Sequence, residues 1–371
     1  MSKSSFLEIP RARTDAIHRI EGALKGVSSV AVTTHINADG DAAGSVAAMA
    51  RLLPQIGLRA VIVNPTPWPL LFTFLKGGLD DRSDKGAEAL RGCGALVSLD
   101  VSDVRRLGSL ATAAKSLPGP RVVIDHHVPT DEPAGEIVLA DTAACATGEL
   151  LYDFATVLKL EIDLATAEAL YVAILTDTGG FRYSNTSPRA HAVAAELISR
   201  GVDPELTYRR IYASMSPGRL QLLRDALDTL GVDPKFGLAW VSVTNEAMDR
   251  YGVGSDDLDG IVEHPRSVAG TRVALFFRDL GYGKVKVSFR STGDVDVNAF
   301  ARRFGGGGHA KASGALITGT LDQVRDRVVG AAREFVGRID PNVPVPPPSA
   351  MVGNGAAVTP ARSDARPTPE R

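Results

Sequence analysis

The chain has 371 residues, 44% hydrophobic and 23% charged, with a formal net charge of −2; this length suggests two domains, and the near-balance of charge excludes a bulk pull toward nucleic acid. Two cysteines without CxxC spacing, Cys93 and Cys145, argue against a disulfide scaffold or a thiolate zinc site and fit a reduced cytosol. No signal-peptide core and no apolar run of about 20 residues is visible, so the expectation is a soluble cytoplasmic protein with no membrane partner.

In chain order, residues 14–26 read as a short amphipathic helix, and "SVAVTTH" as a buried strand rich in β-branched residues. "GSVAAMARLLPQIG" reads as a helix ended by Pro54 and Gly57. "RAVIVN", "GALVSLD" and "RVVIDHH" are three further short apolar runs, separated by helical or turn-rich stretches. Strands alternating with helices imply a parallel sheet covered on both faces, with ligands outside the carboxyl ends of its strands. Residues 146–230 read as mostly helical. After Gly231, "FGLAWVSVT", "TRVALFFRDL" and "GKVKVSFRS" are strand-like, with a hairpin expected at Gly281-Tyr282-Gly283. A helix around 296–304, a glycine-rich stretch and an amphipathic helix at 321–338 complete a second, smaller α/β domain. The tail from Pro341 is rich in Pro and Ala and reads as disordered.

Polar residues gather where the strands end. His35, Asp39 and Asp41 follow the first strand, Asp100 follows "GALVSL", and Asp125, His126 and His127 end "RVVI". Each has a plain reading alone: Asp39 and Asp41 as helix N-caps, His35 as a satisfied loop histidine, Asp100 as a turn residue, Asp177 as a helix-end cap. Together they are harder to dismiss, because carboxylates crowded on one sheet edge repel unless cations offset them. Imidazole and carboxylate suit divalent first-row metals, manganese among them. The carboxylates of Asp39, Asp41, Asp100 and Asp177 would balance two divalent ions. Asp103 is set aside as a cap for the helix around Arg105–Arg106, because Asp100 directly follows the apolar run.

The set "HINADGD", "LD" at 99–100, "DHH" at 125–127, "TDTGGFRYS" and "GGGGHA" resembles the DHH phosphoesterase family, in the branch of nano-RNases and 3′-phosphoadenosine 5′-phosphate (pAp) phosphatases that carry a DHHA1 domain. The resemblance covers about residues 14–338. Ala38 stands where many relatives have Pro; it is not a ligand position and no loss of activity is expected from it. The resemblance implies a DHH domain at 1–200, a helical linker at 201–230, a DHHA1 domain at 231–340 and the tail at 341–371. It implies two manganese ions, one held by His35, Asp39 and Asp100, the other by Asp41, Asp100, His126 and Asp177, with Asp100 bridging. A bridging carboxylate holds such metals roughly 3.5–4 Å apart, and a hydroxide between them attacks phosphorus in line. Asp125 is expected to orient a histidine, and His127 to contact phosphate or protonate the leaving oxygen.

"RRFGGGGHAKASG" reads in isolation as a helix end followed by a flexible loop, or as a backbone anion nest; it lacks Walker spacing. The resemblance favours substrate binding by Gly306, Gly307, Gly308 and His309, with Arg290 of "SFRS" clamping phosphate. Arg182 in "GGFRYS" is a further candidate, equally read as a surface arginine paired with a carboxylate. The implied activity is cleavage of short oligonucleotides to nucleoside 5′-monophosphates, with pAp, the dinucleotide pApA and cyclic di-AMP as related substrates. A long strand is not expected, since no basic groove or extra OB-like module is visible. A pyrophosphatase or exopolyphosphatase, or a non-catalytic nucleotide sensor, are the competing readings. Relatives commonly dimerise, so a homodimer is expected.

Overall fold

The computed structural model describes residues 5–128, 132–213, 215–255, 258, 260–308 and 310–339. The chain divides into two compact units, Met1–Ser214 and Met215–Arg371. In the first unit, helix α1 (Arg11–Leu24) precedes strand β1 (Ser29–Thr33), helix α2 (Gly40–Leu52) and strand β2 (Arg59–Ile62). Then come the short helix α3 (Ala87–Arg91), β3 (Ala95–Leu99), the short helix α4 (Ala111–Lys115), β4 (Arg121–Asp125) and β5 (Ile137–Ala140). Helices α5 (Thr147–Val157), α6 (Leu164–Asp177), α7 (Pro188–Ser199) and α8 (Pro204–Tyr212) follow.

The five strands form one parallel sheet in the order β2-β1-β3-β4-β5. Alternate residues of one strand enter opposite cores. Val30 and Val32 pack with Ile17, Met49 and Phe154, while Ala31 packs with Leu96, Leu107 and Val123. Burial on both faces explains the mostly apolar runs. Strand order reverses between β1 and β3, the switch point at which open α/β sheets bind ligands. His35 follows one of these strands and Asp100 the other.

Helix α2 lies close against α6 because glycine permits it. A side chain at Gly44 would press into the carbonyl oxygen of Ala169 and lie 3.0 Å from Ala173 Cβ; at Gly40 it would overlap Thr176. This approach brings Asp41, in the first turn of α2, toward Asp177, the last residue of α6.

The second unit holds α9 (Pro217–Asp228), β6 (Gly231–Asp233), β7 (Leu238–Val243), α10 (Asn245–Tyr251), the single turn α11 (Glu263–Arg266), β8 (Val273–Asp279) and β9 (Lys284–Ser291). It continues with α12 (Val297–Arg302), β10 (Gly307–Gly308), β11 (Ala312–Thr318) and α13 (Leu321–Ile339). Its six-stranded sheet, in the order β10-β11-β9-β8-β7-β6, is antiparallel except for the β7–β8 pair. The β8–β9 turn places Gly281, Tyr282 and Gly283 all at positive φ. The stretch 201–230 is divided, with α8 in the first unit and α9 in the second. The tail at 341–371 lies outside the described residues. Among the described residues, no helix is long and apolar enough to cross a membrane, and both cysteines are free and buried.

Candidate metal centre

The strand-end residues of the first unit converge at the switch point. Asp41 and Asp100 are almost wholly buried, His126 is nearly so, and Asp39 stands at the open rim with its side chain 63% exposed. Ligand-capable atoms of His35, Asp39 and Asp100 lie within 4.8 Å of one another, as do those of Asp41, His126 and Asp177. A third grouping joins Asp100, Asp125, His126 and His127.

Asp100 lies between the first two groups. Its Oδ2 is 3.3 Å from His35 Nε2, and its Oδ1 is 3.6 Å from His126 Nε2. Asp100 is also one of few non-glycine residues at positive φ (58°), a conformation that side chains disfavour. Such strain at a strand end marks a position held for its side-chain direction.

Two carboxylates divide their oxygens between structure and site. Asp39 Oδ1 caps α2 by accepting from Ala42 N at 3.1 Å, while its Oδ2 lies 4.0 Å from His35 Nε2. Asp41 Oδ1 accepts from Gly148 N (3.0 Å) and Ser45 Oγ (3.1 Å), and its Oδ2 accepts from Thr147 N at 2.7 Å. Asp41 therefore caps α5, whose own N-cap residue Ala146 supplies no side-chain bond. A carboxylate offers about four lone-pair positions. The one Asp41 has left is on Oδ2, 3.7 Å from His126 Nε2.

The histidines test whether cations fit here. His35 Nδ1 meets the carbonyl oxygen of Ile36 at 2.8 Å and His126 Nδ1 meets that of Ala144 at 3.3 Å, so in each ring Nδ1 carries the proton. Each Nε2 is then a lone pair. Both Nε2 atoms are buried and have no hydrogen-bond partner among the described residues. Both face carboxylate oxygens, His126 Nε2 also lying 3.6 Å from Asp177 Oδ2. Lone pairs facing anions repel, and a divalent cation between them turns the same geometry into coordination. The donor set fits two such ions.

Electrostatics follow the same pattern. Burial, then the neighbouring carboxylates, pushes the carboxyls of Asp41 and Asp100 well above the usual range; burial raises Asp177 as well. Burial lowers His35, keeping it neutral. Asp125 differs. Burial works against its charge, yet hydrogen bonds from His127 and Ser102 hold it below the ordinary value. His127 Nδ1 donates to Asp125 Oδ1 at 2.7 Å, and this bond raises the imidazole pKa to about 9. Its side chain is over a third exposed.

The remaining candidates are elsewhere. Arg182 is exposed, and its Nε donates to the carbonyl oxygen of Gly179 at 2.6 Å; it makes no contact with the carboxylates among the described residues. Arg290 lies on β9, where it pairs with Ala312 of β11 and has Glu263 Oε1 3.8 Å from its Nε. The last two glycines of the run form β10. Gly308 pairs with Ser313, and side chains at Gly306 or Gly308 would collide with the β11 backbone. Gly308 and Arg290 thus share one end of the sheet, two strands or about 10 Å apart. His309 lies outside the described residues.

Three contributors escape a reading of the sequence. Ser102 donates to Asp125 Oδ2, Thr147 Oγ1 to Asp100 Oδ1 (3.2 Å), and Asn185 Nδ2 to Asp177 Oδ2 (3.1 Å). Only Ser102 carried a local hint, as a small polar residue two positions beyond Asp100.

Comparison with known proteins gives the family. Residues 29–174 match the N-terminal domain of the DHH family, and residues 240–338 match the DHHA1 domain. The bifunctional oligoribonuclease and PAP phosphatase NrnA of Thermus thermophilus is 34% identical over 320 residues, covering 85% of this chain and 93% of its own. The protein of the same name from Bacillus subtilis is 27% identical over 293 residues, covering 76% and 87%. The crystal structure of an exopolyphosphatase-related protein from Bacteroides fragilis superposes with a TM-score of 0.81 at 25% identity, covering 89% of this chain and 97% of the other.

Proposed function

The chain belongs to the DHH family, and we propose that it is a manganese-dependent phosphohydrolase that cleaves short oligonucleotides to nucleoside 5′-monophosphates. pApA, cyclic di-AMP and the 3′-phosphate of pAp offer the same reacting unit, a phosphate on a nucleoside 3′-oxygen. The observation that carries the reading is the pair of buried histidine lone pairs, each aimed at carboxylate oxygens on either side of Asp100.

In this reading His35, Asp39 and Asp100 hold one cation, and Asp41, Asp100, His126 and Asp177 the other. When bound, the two ions supply charge that stabilises the phosphate's transition state and acidifies an attacking water. The chain's own contribution is orientation and proton transfer. Asp125, fixed by Ser102, occupies His127 Nδ1, which leaves Nε2 for the substrate. The bond to Asp125 favours the charged form of His127 in the metal-free chain, and the ring is suited to hold a phosphate oxygen or protonate the departing 3′-oxygen. Arg290, Gly306, Gly307, Gly308 and His309 are the proposed grips on substrate phosphate and sugar, with Arg182 a lesser one. A chain of formal charge −2 suits a substrate of a few nucleotides better than a long polymer. Homodimerisation is part of the proposal.

The competing reading, hydrolysis of pyrophosphate or polyphosphate, has the exopolyphosphatase-related neighbour in its favour. Kinetics on pApA, pAp, cyclic di-AMP, a five-nucleotide RNA and pyrophosphate with Mn²⁺ separate the two. The expected result is turnover of pApA to AMP that Asp100→Ala abolishes. Faster turnover of pyrophosphate transfers the assignment to the competitor; metal and nucleotide binding without turnover makes the chain a sensor.

A further inference from the structure

Three carboxylates of the cluster stand on separate elements: Asp41 on α2, Asp100 beyond β3, and Asp177 at the end of α6. Two are tied directly, and the third through Asn185, to one short segment, Cys145–Gly148, where the chain turns into α5. Thr147 N and Gly148 N donate to Asp41, and the Thr147 hydroxyl donates to Asp100 Oδ1. Asn185 Nδ2 completes the set, donating to Cys145 O (2.9 Å) and to Asp177 Oδ2 (3.1 Å).

We propose that this segment is the common reference against which the three carboxylates are registered, with Thr147 and Asn185 as positioning residues for cation binding; the proposal rests on the two-cation reading above. Carboxylates this close repel one another, so without fixed donors they would swing apart in the metal-free chain. Asp41 and Asp100 are instead bonded to the segment itself, and Asp177 to Asn185, whose amide is in turn bonded to Cys145 O. Thr147 is wholly buried. Gly148 touches α6 so closely that a side chain there would meet Ala173 Cβ. Glu149 Oε2 accepts from Cys145 N at 3.1 Å, and Glu149 is itself held by Arg13 and Arg189. The segment is thereby clamped from behind, and its donors face the site. Coordination needs all three oxygens in register at once, and holding them to one rigid turn lowers the reorganisation required on binding.

Calorimetric titration of the full-length, metal-free chain with manganese chloride tests this. Thr147→Val removes the hydroxyl but keeps the amide bond to Asp41 and the side-chain shape. Asn185→Ala, on the loop after α6, removes the tie to Asp177. Each is expected to bind Mn²⁺ about 10–100-fold more weakly than wild type, while Thr147→Ser stays within about threefold of it. Thermal midpoints of the metal-free Thr147→Val and Thr147→Ser variants should match each other, separating registration from loss of fold. Native affinity in either weakened variant, or no recovery with serine, overturns the proposal while leaving the two-cation reading intact. Wild type that binds no manganese removes both.

Discussion

Replacing Arg13 by leucine should destabilise the first unit in a pH-dependent way. Arg13 is 4% exposed and donates to Asp141 (2.7 Å), Glu149 (2.8 Å) and Asp153 (2.8 Å). Arg189 also holds Glu149 and Asp153 and ties in the carbonyl oxygens of Phe6 and Glu8. Two guanidiniums thus face three carboxylates, and the substitution leaves one against three. Removing one partner of a buried ion pair costs about 3–5 kcal/mol, and the surviving Arg189 places the expected cost near the lower end, about 3 kcal/mol. For a unit of this size that corresponds to a fall of about 6–12 °C in thermal midpoint. Burial already raises the Asp153 carboxyl above its ordinary value despite both arginines. Without Arg13 it rises further, so the native state holds a proton that the unfolded chain has released. Stability then falls as pH rises through that window and is regained as pH falls. The deficit should therefore be larger at pH 8 than at pH 5, and Asp153→Asn should relieve part of it. Trp68 and Trp240 lie in different units, so urea unfolding in a Trp240→Phe background lets Trp68 fluorescence report the first unit. A deficit below about 1 kcal/mol at pH 8, or one equal at both pH values, would refute this reasoning.

Manganese binding should release protons and weaken on acidification. Burial and mutual repulsion raise Asp41, Asp100 and Asp177 in the metal-free chain, so protons compete with the cation. Raised folded values mean that the metal-free form gains stability as pH falls through them, so the gap in thermal midpoint with and without Mn²⁺ should shrink from pH 8 to pH 5; a constant gap argues against it. Gly44→Ala should cost about 1–3 kcal/mol by forcing α2 off the Ala169 carbonyl and Ala173, against a helix-propensity gain of at most about 1 kcal/mol. Since α2 carries Asp41 and α6 carries Asp177, metal affinity should fall with it; unchanged melting and titration would show that the helices separate freely.

Strand ends were legible in the sequence because a strand buried on both faces admits small hydroxyl residues such as Thr33 and Ser98 but no charged one. A histidine or aspartate that closes "SVAVTTH" or "GALVSLD" is therefore conspicuous. β1 stops at Thr33, two residues before His35, without changing which edge His35 occupies. β5 escaped because it is a four-residue edge strand with Val138 half in solvent, too short and too mixed to stand out. The glycine run was ambiguous between loop and grip because its conformation, close backbone pairing with β11, depends on a partner that the glycines do not name.

The largest gap concerned Asp39 and Asp41, for which helix capping and cation binding had stood as alternatives. The two oxygens of a carboxylate make them compatible. Asp39 caps with Oδ1 and turns Oδ2 to His35; Asp41 fills Oδ1, shares Oδ2 with Thr147 N, and keeps one lone pair toward His126. The donors that force this division come from residues 106 and 107 positions away in the chain for Asp41, and 47 away for Asp100. A ligand announces itself by its place at the end of a regular element; the groups that aim it are fixed only once distant elements pack. A cap that satisfies a helix in trans also immobilises the oxygen left over, so the same hydrogen bonds that stabilise α5 set the direction from which a cation can be held.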